Sequence, residues 1–204
     1  MKKIITLSRQ FGSGGRELGK RLSEALGIPC YDHQIIDMIA EEQGLDKDYV
    51  ARISEKAIQA FYPATIGRHF TWNPVMEQPM KVAAAQNDIL KKLAEKEDCM
   101  IVGRGADVIL KDMNPFRIYV YADMDARVQR CMAHSKEGEN LSEGEMLKMI
   151  KKIDRERSAY RSQFTDIRWG ESEAFNLCIN TTGKEIKDLI DPIVSYINVW
   201  FQNK

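Results

Sequence analysis

Three glycines and a cation stand together in "GSGGRE", Gly12 to Glu17, separated by four residues from the apolar run "IITL" and leading into a helical pattern. Strand, glycine-rich turn and helix is the order in which backbone N–H groups and a helix N-terminus converge on an anion. Arg16 adds a positive charge at that end. The dinucleotide fingerprint G-x-G-x-x-G does not fit. Read from Gly12 it needs glycine where Glu17 stands, and read from Gly14 it needs glycine where Arg16 stands. The phosphate-loop pattern G-x-x-x-x-G-K-[ST] matches at Gly15, with Gln10, Arg16 and Glu17 in place of its Gly, Lys and Ser/Thr. Phosphate binding by Gly12, Ser13, Gly14, Gly15 and Arg16 is the expectation. The plainer alternative is a turn that needs glycine only for its dihedrals.

Arginines form the second group. Arg104 follows the run "CMIVG", at the carboxyl end of a strand, where ligands bind in open α/β sheets. Arg127 and Arg130 are three apart, and Arg157 and Arg161 four apart, so each pair shares one helical face. Such arginines either close over a phosphate or pair along a solvated helix with neighbours such as Asp154 and Glu156. "IGRHFTW" adds Arg68, His69, Phe70 and Trp72, a basic and aromatic mixture that suits a nucleotide or an interface. His69 and His134 stand apart from acids or cysteines at metal or triad spacing. Cys30, Cys99, Cys131 and Cys178 are scattered without a C-x-x-C pair, which argues for core thiols in a reducing cytoplasm over zinc or disulfides.

Elements must position these residues. Apolar, β-branched runs occur at 3–8, 28–31, 99–103, 116–121 and 177–180. Helical patterns cover 15–26, 33–43, 47–61, 78–96, 125–134, 142–161 and 184–201. Alternation of this kind predicts a parallel sheet covered on both faces within a single domain spanning 1–204. Segment 33–97 is too long for one crossover and reads as a helical insertion. Segment 134–162 reads as a lid and its following helix, opened by the capping box of Ser142 and Glu145. Met146, Met149, Ile150 and Ile153 form the buried stripe of that helix. Thirty basic and thirty acidic residues cancel, so no bulk field recruits nucleic acid or an anionic membrane. Apolar stretches fall short of the roughly 20 residues a membrane span needs, and the start lacks a secretory signal. The aromatic end of "IVSYINVWF" leaves a second copy of the chain open as a partner.

"ITLSRQFGSGGRELGKRLSEALGIPCYD" resembles the opening of the cytidylate-kinase-like family, P-loop relatives of the nucleoside monophosphate kinases. The likeness continues in "IVGRG", "DARVQR", "DRERSAYR" and "NLCINTT", in the family's order. This resemblance implies a three-layer α/β/α P-loop NTPase fold with strand order 2-3-1-4-5, an acceptor-binding insertion and a lid. It implies phosphoryl transfer from ATP with Mg²⁺ to a nucleoside monophosphate, CMP or dCMP. Arg16 then takes the place of the P-loop lysine, and Glu17 offers a carboxylate where a P-loop offers Mg²⁺ a hydroxyl. Arg127 and Arg130 match lid arginines at the donor, Arg157 and Arg161 lid arginines at the transferred group. Asp32 and Arg104 match acceptor positions, with Arg68 as a substitute from the insertion. His33 and Met38 stand where cytidylate kinases carry a serine and an arginine at the base. A nucleotide-binding regulatory protein, or a kinase for another small acceptor, are the alternatives on the same fold.

Overall fold

Five short apolar segments become five strands. They are β1 (Ile4–Arg9), β2 (Cys30–Tyr31), β3 (Cys99–Val102), β4 (Phe116–Tyr121) and β5 (Leu177–Asn180). All neighbours pair in parallel, in the order β2-β3-β1-β4-β5. The computed structural model describes residues 2–54, 74–134 and 141–202. Eight α-helices are described: α1 (Gly15–Leu26), α2 (Gln34–Gln43), α3 (Lys47–Ile53), α4 (Pro74–Lys96), α5 (Ala106–Ile109), α6 (Met124–Ala133), α7 (Glu143–Arg161) and α8 (Ile190–Gln202).

Strand periodicity divides the core between two faces of the sheet. Ile4, Cys99 and Ile101 pack with α2 and α4 through Ile35, Ile39, Val82 and Leu90. Ile5, Leu7, Met100 and Ile118 pack on the other face with Leu18, Leu22, Ile193 and Ile197 of α1 and α8. Three layers result. The described part of 33–97 is thus woven into the main core, where α2 and α4 form one of the outer layers.

Local chemistry sets the element ends. Left-handed glycines bracket α1, with Gly14 before it and Gly27 after it. The helix expected over 78–96 begins at Pro74, and Pro79 lies inside it with no N–H to give to the carbonyl four residues back. The helix expected over 184–201 starts as a 3-10 turn, Ile186–Leu189, and turns α at Ile190. Pro192 accounts for that: it cannot donate to the carbonyl of Asp188, and its ring is welcome only in a first turn. The short α5 after Gly105 has no counterpart among the sequence expectations. Ser142 and Glu145 form the expected capping box, and Met146 and Ile150 are buried against Val128 of α6. Among the described residues no helix is long and apolar enough to cross a membrane.

Candidate active site

β1 delivers the glycine loop at its carboxyl end. Gln10 is anchored to β4, its N–H donating to the Val120 carbonyl at 2.9 Å and its Oε1 accepting from Ala122 N–H at 3.2 Å. The backbone N–H and the hydroxyl of Ser13 both return to the Gln10 carbonyl, at 3.3 and 2.8 Å, and close the turn. Gly12 and Gly14 both have φ of 77°. A Cβ on Gly12 would lie 2.8 Å from Cys131 Sγ, one on Gly14 2.7 Å from Ile186 Cδ1, and one on Gly15 2.5 Å from Arg9 Cβ. Each glycine is therefore needed where it stands, and three are needed because the loop is pressed between α6, the 3-10 turn and β1. The first-turn N–H groups of α1 open from this loop without intrahelical partners.

Beside the loop lies a small open cleft at the carboxyl ends of β1 and β3. Arg9, Arg104, Arg157 and Arg161 line it, with Asp107 as its single carboxylate and with Tyr160 and Trp169 as aromatic walls. Arg104 is buried in the left-handed region, φ 59°, and its Nη1 donates to Ser54 Oγ at 2.5 Å. Gly103 before it, φ 79°, leaves room for the Arg9 guanidinium, with which a Cβ would collide. Arg157 donates to the Arg9 carbonyl at 3.1 Å and stacks 5.6 Å from the centre of the Phe11 ring. Arg161, also buried, donates to Asp107 at 2.8 Å and to the Ile167 carbonyl at 2.7 Å. Among the described residues Arg161 pairs with Asp107 and Arg9 with Asp32 at 3.7 Å, and a cleft lined by four guanidinium groups suits an anion.

The model of the cytidylate kinase-like family matches residues 4–183. The chain belongs to that family. Among solved structures it is similar to an uncharacterized protein from Eubacterium ventriosum ATCC 27560, with 28% identity over 97% of this chain and 99% of that one and a TM-score of 0.70. It shares its fold with shikimate kinase from Bacteroides thetaiotaomicron, at 14% identity, 95% and 97% coverage and a TM-score of 0.58. Shikimate kinase from Acinetobacter baumannii in complex with shikimate has the same fold, at 17% identity, 100% and 96% coverage and a TM-score of 0.52. No curated protein matches the chain. Family and fold make it a kinase-like P-loop protein.

In this cytidylate kinase-like protein the expected site residues fall in different places. Gly12, Ser13, Gly14 and Gly15 build the loop, while Arg104, Arg157 and Arg161 meet in the cleft. Arg127 and Arg130 meet the loop from outside: Arg127 Nε donates to the Phe11 carbonyl at 2.7 Å, and Arg130 Nη1 to that of Gly12 at 2.9 Å. Arg127 also contacts Asp154 through Nη2, so Asp154 pairs across helices. Arg16 and Glu17 turn away from the loop. Arg16 Nε donates to Asp32 at 2.7 Å and its Nη2 contacts His33, while Glu17 accepts from Arg21 Nε at 2.8 Å, one helical turn on. Arg68 lies outside the described residues.

Sequence reasoning missed Arg9, Ser54, Tyr160 and Trp169. Arg9 carried one signal, a cation closing an otherwise apolar central strand. Ser54 carried none, since its partner Arg104 is 50 residues away. Among the described residues no three His, Cys, Asp or Glu side chains gather as metal ligands. All four cysteines are free. Burial, followed by nearby Glu97 and Asp98, pushes the Cys99 thiol up to about 11. Burial likewise raises Cys131, partly offset by Arg127 and Arg130.

Proposed function

We propose that this protein transfers the terminal phosphoryl group of ATP to a small anionic acceptor, a nucleoside monophosphate such as CMP or dCMP. The observation that carries this reading is the arginine cleft beside the glycine loop. Transfer breaks the bond between the terminal phosphorus and the ADP oxygen and forms one to an acceptor oxygen. It needs the two oxygens held in line and the spreading charge neutralised, with little covalent work by the protein. The loop N–H groups and the N-terminus of α1 hold the donor, and Arg104 and Arg9 hold the acceptor's charge. Arg157 reaches from α7 to the end of β1, between the two, and Arg161 stiffens the far wall through Asp107.

Mg²⁺ entering with the nucleotide would supply further charge neutralisation; Glu17 is turned onto Arg21, which leaves the Ser13 hydroxyl oxygen as the loop side-chain atom that would hold it. Mg²⁺ is ordinarily held by one or two protein oxygens plus substrate phosphates. A second reading, a nucleotide-binding regulatory protein, draws on Arg16 and Glu17 being engaged by Asp32 and Arg21.

A coupled assay of ADP release, across nucleoside monophosphates and uncharged small alcohols with and without Mg²⁺, tests both. ADP release that depends on an anionic acceptor supports transfer. Release driven only by uncharged alcohols overturns the acceptor class, and ATP binding without release on any acceptor leaves the regulatory reading.

A further inference from the structure

Three successive carbonyls of the glycine loop are gripped from outside. Phe11 accepts from Arg127 Nε at 2.7 Å, Gly12 from Arg130 Nη1 at 2.9 Å, and Ser13 from Thr181 Oγ1 at 2.8 Å. In a trans peptide the carbonyl and the following N–H point in opposite directions. The described residues contain no cis peptide. Fixing these carbonyls toward α6 and the residue after β5 therefore aims the N–H groups of Gly12 and Gly14 the other way, out of the loop. The intervening N–H of Ser13 is taken by Gln10 at 3.3 Å. We infer that Arg127, Arg130 and Thr181 are positioning residues that set the loop amides for the donor's phosphates by holding the loop carbonyls. This rests on the reading of the loop as the donor site.

The grip is tied to the long helix. Phe11 N–H donates to Asp154 Oδ1 at 2.8 Å, and the other Asp154 oxygen meets Arg127. One ion pair between α6 and α7 thus holds both polar atoms of Phe11. Arg130 spans two carbonyls, reaching Thr181 at 3.3 Å with Nη2 while Nη1 stays on Gly12. Arg127 is buried with both ends of its guanidinium committed. These two arginines act on the donor through the backbone, whereas lid arginines would touch it.

Arg127→Ala risks unfolding, so the test uses Arg130→Ala, Arg130→Lys and Thr181→Val, each checked by melting. Calorimetric titration of ATP should show affinity falling about tenfold or more in Arg130→Ala and Thr181→Val, the size expected for losing a charged or buried hydrogen bond. Arg130→Lys, which keeps a donor for Gly12, should recover most of it. In turnover, KM for ATP should rise while KM for the acceptor stays within about twofold. Folded variants that bind ATP as the wild type does would overturn the inference. Hydrogen exchange at Phe11 and Ser13 in nucleotide-free protein separates this failure from failure of the functional reading. Both amides should exchange about tenfold faster in Arg130→Ala while the amides of β1 stay protected. Unchanged exchange rejects the grip, and faster exchange in a protein that binds no ATP keeps the grip and rejects the donor site.

Discussion

Arg161 illustrates how much a single guanidinium does in this fold. It is buried, faces Asp107 and the Ile167 carbonyl, and lies 5.5 Å from the centre of the Phe175 ring. Breaking a buried pair strands the other charge, so Arg161→Ala should cost about 3–5 kcal/mol in urea denaturation. An exposed pair such as Lys20–Glu24 is worth at most about 1 kcal/mol. A loss of that smaller size at Arg161 would show that Asp107 is resolvated. Arg157 differs, because its stacked, less enclosed guanidinium can respond to charge that develops during transfer. Arg157→Ala should lower kcat more than it weakens nucleotide binding, by about a hundredfold if it meets the transferred group. Steady-state kinetics beside a binding isotherm decide this, and equal losses in both would make it a ground-state contact. At the acceptor, exposed His33 and half-buried Met38, which packs against the core, replace the serine and arginine that resemblance leads one to expect. Turnover should therefore be comparable on at least two nucleoside monophosphates, and strict selectivity for CMP would contradict it.

At the scale of elements, α1 offers a built-in control. Gly14 at its start and Gly27 at its end are both left-handed, φ 77° and 67°. A Cβ on Gly14 strikes Ile186, whereas nothing lies within 4 Å of one on Gly27. Gly27→Ala should cost about 1–2 kcal/mol, the ordinary left-handed penalty. Gly14→Ala should cost more and also abolish ATP binding, since the loop must shift to clear Ile186. Similar melting and binding for the two variants would mean that the loop is not held against the 3-10 turn. The start of α7 is a second such joint. Hydrogen bonds from Ser142 hold the Glu145 carboxyl below its ordinary value. The capping box thus contributes above the unfolded carboxylate range and fades as pH falls through the lowered value. Ser142→Ala should cost about 1 kcal/mol at neutral pH, read from denaturation midpoints.

The whole molecule should lose stability on the alkaline side. Burial pushes Cys99 from 9.0 to about 11, and Tyr119 from 10.0 to about 12. Between each pair of values the unfolded chain has released a proton that the folded chain still holds. Stability is therefore full below pH 9 and falls as pH rises toward 11 and beyond. Melting temperatures across that window should decline, and Cys99→Ala should flatten the first part of the slope even though it lowers the midpoint at neutral pH. An unchanged slope in the variant would place the alkaline loss elsewhere. ATP binding acts in the opposite direction, adding about 2.7 kcal/mol at a hundredfold excess over its Kd if the unfolded chain does not bind it.

The amino-acid sequence by itself determined the alternation of apolar runs and helices, the glycine loop after β1 and the capping box of α7. These are local: period, dihedral demand and capping each act within a few residues. Resemblance to the family supplied the strand order, which alternation alone leaves open. Tertiary structure decided what each arginine meets. Arg127 meets Phe11 across 116 residues and Asp154 across 27, and Arg161 meets Asp107 across 54. Arg16, adjacent to the loop in sequence, turns instead to Asp32, which β2 brings to the same edge of the sheet. A guanidinium on a long, flexible stem takes whichever acceptors the packing brings within reach, and helical spacing specifies only the face from which it starts.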